Sequence, residues 1–333
     1  MFISDRLATG ELDRTLSPEG LSSFLGLMYI PEPWSIYKDV NKLKAGYYLD
    51  VANGTVQEKR FVDFNYASKL KIDYNDAISE SARLFGESVK RQLNTDVPSG
   101  VLISGGLDSR SVLAAALANK KDVESFTIAF SEDQYNEGGE GALWARLLGS
   151  HHNQLLVDEE RFSQNLLSRQ KHLDEPYSLW CNVATEAMAE YVSSKGIKVM
   201  YGGDGGDELF VGYPTVHALK IAQWYQSILP KGIRSHIVQP LVNMLPSGNG
   251  KLPLSFMLKS FVNADDNDLY RMFFGFKEVV RYKDWETLLT TEAYNLIKDH
   301  DPFAAFNQHR SVVEDLDLVD ALTYLDKKVF LSG

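Results

Sequence analysis

The chain has 333 residues, enough for about two domains at ~150 residues each. It carries 34 Lys and Arg against 45 Asp and Glu, a net charge of −11, which argues against a protein whose task is to hold nucleic acid on a basic face. Its 44% hydrophobic and 24% charged residues are a globular rather than a disordered composition. No apolar run approaches the ~18 residues of a membrane span. Asp5 and Arg6 come too early for a secretory signal, and the single cysteine, Cys181, excludes an internal disulfide framework or a multi-cysteine metal site. A reducing cytoplasm is the expected compartment.

In chain order, a short helix is expected around Ser17 to Met28, followed by the Pro-rich passage Tyr29 to Trp34. Two strand-like runs, Gly46 to Val51 and Thr55 to Phe64, flank Asn53-Gly54, a strong hairpin signal. Apolar residues at helical spacing (Ala77, Leu84, Phe85, Val89, Leu93) predict a connecting helix over 73–93. Short apolar strands then alternate with helices. The strands are Val97 to Ile103, Ser125 to Phe130, Asn153 to Val157 and Ile197 to Tyr201. The helices are Asp108 to Asn119, Gly141 to Leu148, Arg161 to His172 and Val183 to Ser194. Such alternation predicts an α/β fold, a parallel sheet with helices on both faces. Beyond Tyr213 the spacing is mainly helical, starting with the amphipathic stretch Val216 to Leu229 and broken by a Pro/Gly loop from Leu245 to Pro253. The expected organisation is a small β-containing piece over 1–65, then one domain over 66–333, with an α/β core at about 95–213 and a helical part at 214–333.

Two motifs carry chemistry. Ser104-Gly105-Gly106-Leu107-Asp108-Ser109 lies where a strand ends and a helix begins, the place where a parallel sheet presents free N–H groups and a helix N-terminus to an anion. Two glycines allow close backbone approach, and Ser104 and Ser109 offer hydroxyls. Asp108 in such a site would repel phosphate unless a cation lies between, so it implies Mg²⁺. The lysine of a Walker A loop is absent. The second motif follows the last strand: Gly202-Gly203-Asp204-Gly205-Gly206-Asp207-Glu208, four glycines and three acids, is an odd composition for a structural turn. Asp108 and Asp207, from two loops at one sheet edge, are placed to bracket a divalent cation on a polyphosphate. Asp204 is placed to meet a reacting group as a proton acceptor or as an orienting acceptor.

Together these motifs resemble the synthetase domain of glutamine-dependent asparagine synthetases, within the N-type ATP pyrophosphatases. The first is similar to their pyrophosphate loop, the second, through Leu209-Phe210-Val211-Gly212-Tyr213, to their acidic loop. Gln134-Tyr135-Asn136-Glu137, Leu148 to His152, Asp174-Glu175-Pro176 and Asp320 to Leu325 are similar to further stretches of that family. The run Leu25 to Leu49, with Pro31-Glu32-Pro33 and Lys42 to Gly46, resembles the end of its glutaminase domain. The resemblance implies an adenine-nucleotide α-hydrolase-like fold. It also implies adenylation of the aspartate side-chain carboxylate by ATP, with Mg²⁺ held by Asp108 and Asp207, and displacement of AMP by ammonia to give asparagine. Asp204 and Asp207 are the implied catalytic acids. Ser104, Gly105, Gly106, Leu107, Asp108 and Ser109 are the implied phosphate-binding residues, and Leu102, Ile128, Gly202 and Gly203 the implied adenosine contacts. The ammonia is expected from a glutaminase that this chain lacks, since position 2 is Phe and the lone thiol is Cys181. Measured against the family, the chain is expected to be a remnant of the glutaminase end joined to a synthetase domain incomplete at its C-terminus.

Other residues read as structural: His151-His152 as structural or loop residues rather than ligands, Cys181 as a small packed hydrophobe, and Trp224, Phe273 and Phe274 as core. The run Glu314 to Asp317 reads as an exposed helix face. For Arg110, a phosphate contact and a surface salt bridge are both open, and Asp174 and Glu175 fit a substrate pocket or a solvated loop. Two other functions fit the motifs: a β-lactam- or lasso-peptide-forming cyclase of the same superfamily, and an inactive nucleotide-binding fragment. A tRNA-modifying ATPase is disfavoured by the acidic charge and the lone cysteine.

Overall fold

The computed structural model describes residues 10, 13–66, 68–120, 122–131, 136–169, 173–178, 181–246, 248 and 253–332. The side chain of Cys181, the residues Gln134 and Tyr135, and most of the loop expected at 245–253 lie outside the described residues. Two compact units are formed. One comprises Lys69–His172 and Leu179–Gly206, the other Met1–Ser68, Leu173–Ser178 and Asp207–Gly333.

The first unit is the expected α/β core. Its strands β3 (Ser99–Leu102), β4 (Glu124–Phe130), β5 (His151–Val157) and β6 (Val199–Tyr201) form a parallel sheet in the order β5-β4-β3-β6. Val101 pairs with both Ser125 and Tyr201, so β3 lies inside the sheet. Alternation along the strands sends side chains to two separate cores. Val101 and Ile103 pack with Val89 of α2 (Tyr74–Gln92), Val112, Leu113 and Ala116 of α3 (Leu107–Asn119), and Ala145 of α4 (Gly138–Leu148). Phe126, Leu155 and Val157 pack on the opposite face with Ala187, Met188 and Val192 of α6 (Cys181–Ser194), and with Phe162 of α5 (Glu159–Arg169). Each fully buried Leu or Phe contributes roughly 1.5–3 kcal/mol. The sheet is thus covered on both faces by helices, as expected of a parallel sheet. His151 and His152 sit on β5, with the His152 Nδ1 3.0 Å from the Ser125 hydroxyl, in the structural role expected of them.

The second unit is mainly helical, with one hairpin. Strands β1 (Tyr47–Ala52) and β2 (Thr55–Arg60) pair antiparallel, and Asn53 (φ 52°) and Gly54 (φ 76°) make the turn that Asn-Gly predicts. The second strand ends at Arg60, short of Phe64, because Asp63 is drawn into ion pairs with Arg60 (2.6 Å) and Lys328 (2.7 Å). Helix α1 (Pro18–Leu27) starts on Ser17, whose hydroxyl accepts the Gly20 N–H at 3.0 Å. Leu27 and Tyr29 share a core with Met272, Phe273, Phe274, Phe303, Phe306 and Leu322. The contact boundary therefore differs from the sequence boundary at 65/66: residues near the N-terminus belong to the body that also holds 207–333. Phe273 and Phe274 are core, as expected. Trp224 is not. Helix α8 (Pro214–Ile228) buries Val216, Leu219 and Ala222, and Trp224, on its other side, is 68% exposed. Asp317, read as part of an exposed face, caps the helix Leu318–Leu325 by accepting the Val319 and Asp320 N–H groups. Among the described residues no helix is long and apolar enough to cross a membrane.

Candidate functional site

The site is built where β3 gives way to α3. The Ile103 N–H is held by the Phe126 carbonyl at 2.8 Å and the Ile103 carbonyl by the Thr127 hydroxyl, so the loop leaves a fixed sheet edge. The Ser109 hydroxyl accepts the Ser104 N–H (3.0 Å) and lies 3.0 Å from the Ser104 hydroxyl, which itself accepts the Gly106 N–H (3.1 Å). The two serines thus brace the loop internally rather than pointing freely outward, and Ser109 is buried. Helix α3 begins at Gly106 with no side-chain cap. The positive end of a 13-residue helix is left to whatever anion arrives. Asp108 stands in that first turn, and Leu107 beside it is 71% exposed.

The glycine loop after β6 packs directly on this helix start. A Cβ at Gly203 would lie 2.6 Å from the Ser109 nitrogen and 3.0 Å from the Asp108 Cβ. A Cβ at Gly206 would lie 2.4 Å from the Asp108 carboxylate carbon. Only glycine fits at Gly203, where the neighbours are backbone; at Gly206 any larger residue would have to push the Asp108 carboxylate aside. Gly205 adopts φ +89°, a left-handed turn that glycine tolerates, and the Gly206 N–H closes it on the Gly203 carbonyl at 3.2 Å. The exposed carboxylate of Asp204 folds back over Gly202, 2.7 Å from where its Cβ would be. The loop then enters a short helix, α7 (Gly206–Phe210). Asp207 is its second residue and the first residue of the other compact unit. Leu102 ends β3, and Ile128 lies on β4 paired with Leu155.

Two residues beside the loop carried no motif. Arg110 donates from Nε to the Gly106 carbonyl at 2.8 Å and lies 4.5 Å over the Trp144 ring. It braces the loop, an arrangement that neither sequence alternative described. The Glu140 carboxylate, in the first turn of α4, lies 2.3 Å from where a Gly105 Cβ would be. Its sequence signal was the run Gly138-Gly139-Glu140-Gly141. Gly138 and Gly141 let α4 approach β4, since a Cβ there would meet Ala129 at 2.6 Å and Thr127 at 2.5 Å. That close approach carries Glu140 to the loop. Glu175 is held by Lys42 at 2.5 Å, within the second unit.

Among the described residues no three His, Cys, Asp or Glu side chains form a ready-made metal cage. Mg²⁺ does not require one, because it commonly takes one or two carboxylates with phosphate and water oxygens. A carboxylate at a helix start that lacks a cap fits such an ion, and the donor set is hard oxygen throughout.

A parallel sheet covered on both faces, with a glycine-lined helix start at its C-terminal edge, places the molecule among the parallel α/β proteins. The family model described as asparagine synthase matches residues 80–332, and the chain belongs to that family. It is 27% identical over 226 residues to a Mycobacterium bovis protein that carries the name of a glutamine-hydrolysing asparagine synthetase (67% of this chain, 34% of that protein). It is 22% identical over 250 residues to asparagine synthetase (glutamine-hydrolysing) 1 of Bacillus subtilis (74% and 39%). The chain thus spans about a third to a half of the length of the curated relatives it matches. Among solved structures it is similar to an NMN synthetase from Francisella tularensis, with 10% identity and a TM-score of 0.33, covering 64% of this chain and 96% of that one.

Proposed function

We propose that this chain is the nucleotide-activating part of an ATP-dependent ligase that adenylates a carboxylate, releases pyrophosphate and passes the acyl group to ammonia. The observation that carries the reading is the Asp108 carboxylate lying at the uncapped start of α3 and against Gly206, with Asp207 the next residue in the chain. Asp108 and Asp207 would hold Mg²⁺. That ion, when bound, neutralises charge developing on the leaving pyrophosphate. The Ser104–Ser109 loop presents the helix N-terminus to the phosphates. Leu102, Ile128, Gly202 and Gly203 line the adenosine side. Exposed Asp204 orients the incoming amine or accepts its proton. Positioning dominates such chemistry, since the protein makes no covalent bond to the reacting groups.

Family membership supports the aspartate side chain as the activated carboxylate and asparagine, AMP and pyrophosphate as products. The ammonia would come from a glutaminase activity. The test is pyrophosphate release from ATP and Mg²⁺ with aspartate and ammonium, run beside a panel of larger carboxylates bearing internal amines. Release with aspartate supports the amidation. Release only with the larger acids replaces it with a cyclase of the same chemistry. Nucleotide binding without release under either condition makes the chain a non-catalytic binder and ends the reading.

A further inference from the structure

Asp207 opens a turn that is fixed from behind. The Gly212 N–H returns to the Asp207 carbonyl at 3.0 Å, and a Cβ at Gly212 would lie 1.8 Å from the Asp207 Oδ1, so the carboxylate occupies the space that only a glycine leaves. Between them Val211 has φ 61°, a left-handed conformation that is a strained outlier for a β-branched residue. Such a conformation persists only when its surroundings over-determine it. The surroundings are specific. The next residue after Asp207, Glu208, is 3% exposed, and its Oε1 accepts the Tyr213 hydroxyl at 2.7 Å. This bond spans the strained residue and clamps the two ends of the turn.

Tyr213 is itself held. Its ring stands edge-on to Phe330 at 6.2 Å, and the Lys277 ammonium lies 5.3 Å from its centroid, 4.9 Å from that of Phe273 and 4.1 Å from that of Phe330. Lys277 pairs with buried Asp326 at 2.8 Å. Burial raises the Asp326 carboxyl, the negative charges of Glu208 and Asp207 act in the same direction, and Lys277 opposes them. The electrostatics of the buried cluster therefore reach Asp207. None of these groups has a part in the chemistry described above, yet a buried acid, a half-buried phenol and a boxed ammonium stand in sequence directly behind the acid assigned to the cation.

We propose that Tyr213 and Lys277 are positioning residues for Asp207: the Tyr213–Glu208 hydrogen bond holds the strained turn closed and so aims the Asp207 carboxylate at the divalent cation, and Lys277 with Asp326 holds the Tyr213 ring in place. The inference rests on the reading of Asp207 as a Mg²⁺ ligand. The test is binding of ATP to the full chain, titrated with Mg²⁺ and repeated in EDTA, for the parent and Tyr213→Phe. The phenylalanine keeps the ring and removes only the hydroxyl. The expected result is a roughly tenfold higher Mg²⁺ midpoint, the size of one hydrogen bond to a charged acceptor, with binding in EDTA unchanged. A purely structural role would instead weaken binding equally with and without Mg²⁺. Lys277→Met leaves Asp326 without its partner and risks the fold, so Lys277→Met/Asp326→Asn is the second variant, with the same right-shifted midpoint expected. A Tyr213→Phe midpoint equal to the parent's overturns the positioning role while leaving the function intact. A parent whose ATP binding ignores Mg²⁺ overturns the assignment of Asp207, and the positioning role falls with it.

Discussion

Gly203→Ala tests whether the glycine loop and the start of α3 form one rigid site. The new methyl would stand 2.6 Å from the Ser109 nitrogen, 3.0 Å from the Asp108 Cβ and 3.1 Å from the Asp108 carbonyl carbon. Non-bonded heavy atoms prefer about 3.5–4.0 Å, so the two segments must part by roughly 1 Å. Two of the three atoms are backbone, and no side-chain rotation relieves them. Overpacking of this kind costs about 1–3 kcal/mol, a fall of roughly 3–10 °C in melting temperature for a unit of this size. The effect on function should exceed the effect on stability. A ~1 Å displacement of a reacting group can lower a rate about 100-fold. Gly206→Ala is the partner variant: its methyl meets only Asp108 carboxylate atoms, at 2.4 to 2.9 Å, and these can swing away. It should leave the melting temperature nearly unchanged and still weaken Mg-ATP binding. Gly139→Ala, with nothing within 4 Å and a place in α4, is the control and should stabilise by up to about 1 kcal/mol. The assays are thermal unfolding and calorimetric Mg-ATP binding. If Gly203→Ala melts with the parent and binds Mg-ATP equally well, the packing of these two loops does not build the site.

Asp108→Asn keeps the side-chain shape and removes the charge. Mg-ATP affinity should fall at least about tenfold, while the helix loses only about 0.3–1 kcal/mol of favourable dipole interaction, which a urea titration would resolve. Glu140→Gln removes a carboxylate from beside Gly105, so ATP binding in EDTA should tighten about two- to fivefold, and unchanged affinity would mean that Glu140 does not face the phosphates. Burial, reinforced by the Lys328 ammonium, lowers His309 from 6.5 to about 4. The unfolded chain therefore takes up a proton near pH 6.5 that the folded chain refuses until about pH 4. Stability from this group is full above pH 6.5 and falls by at most about 3 kcal/mol on acidification to pH 4. His309→Phe, which keeps the ring set 5.6 Å from Tyr324, should flatten that part of the urea-midpoint profile, and a profile parallel to the parent's would refute the assignment.

The sheet was legible because each of its signals is local. An uninterrupted apolar strand, a glycine turn and a helix period lie within a few residues of one another, and 99–201 reads off in that order. The Asn53-Gly54 turn was equally local. The misread residues depended on partners far along the chain. Trp224 shares the helical spacing of Leu219 and Ala222, but spacing alone does not say which side of α8 meets a neighbour, and the buried side is that of Val216, Leu219 and Ala222. The second strand stops early because Asp63 finds Lys328, 265 positions away. Tyr29, which reads as part of a Pro-rich passage, is buried because its hydroxyl reaches the Val329 carbonyl at 2.8 Å.

The same division runs through the site. Composition marked Asp108, Asp204 and Asp207 because acids among glycines are chemically conspicuous. It could not mark Glu140, Arg110 or Tyr213, each an ordinary residue whose importance lies in what stands opposite. Glu140 reaches Gly105 only because Gly138 and Gly141 bring a helix against a strand, and Arg110 is diverted from solvent by a carbonyl and an indole. Motif glycines therefore have two physical meanings here. Some admit a ligand, but Gly203, Gly206 and Gly212 admit the protein's own acids and backbone at distances that a side chain there would force to change. A substitution at these three should act first on where the carboxylates stand and only through them on what the site binds.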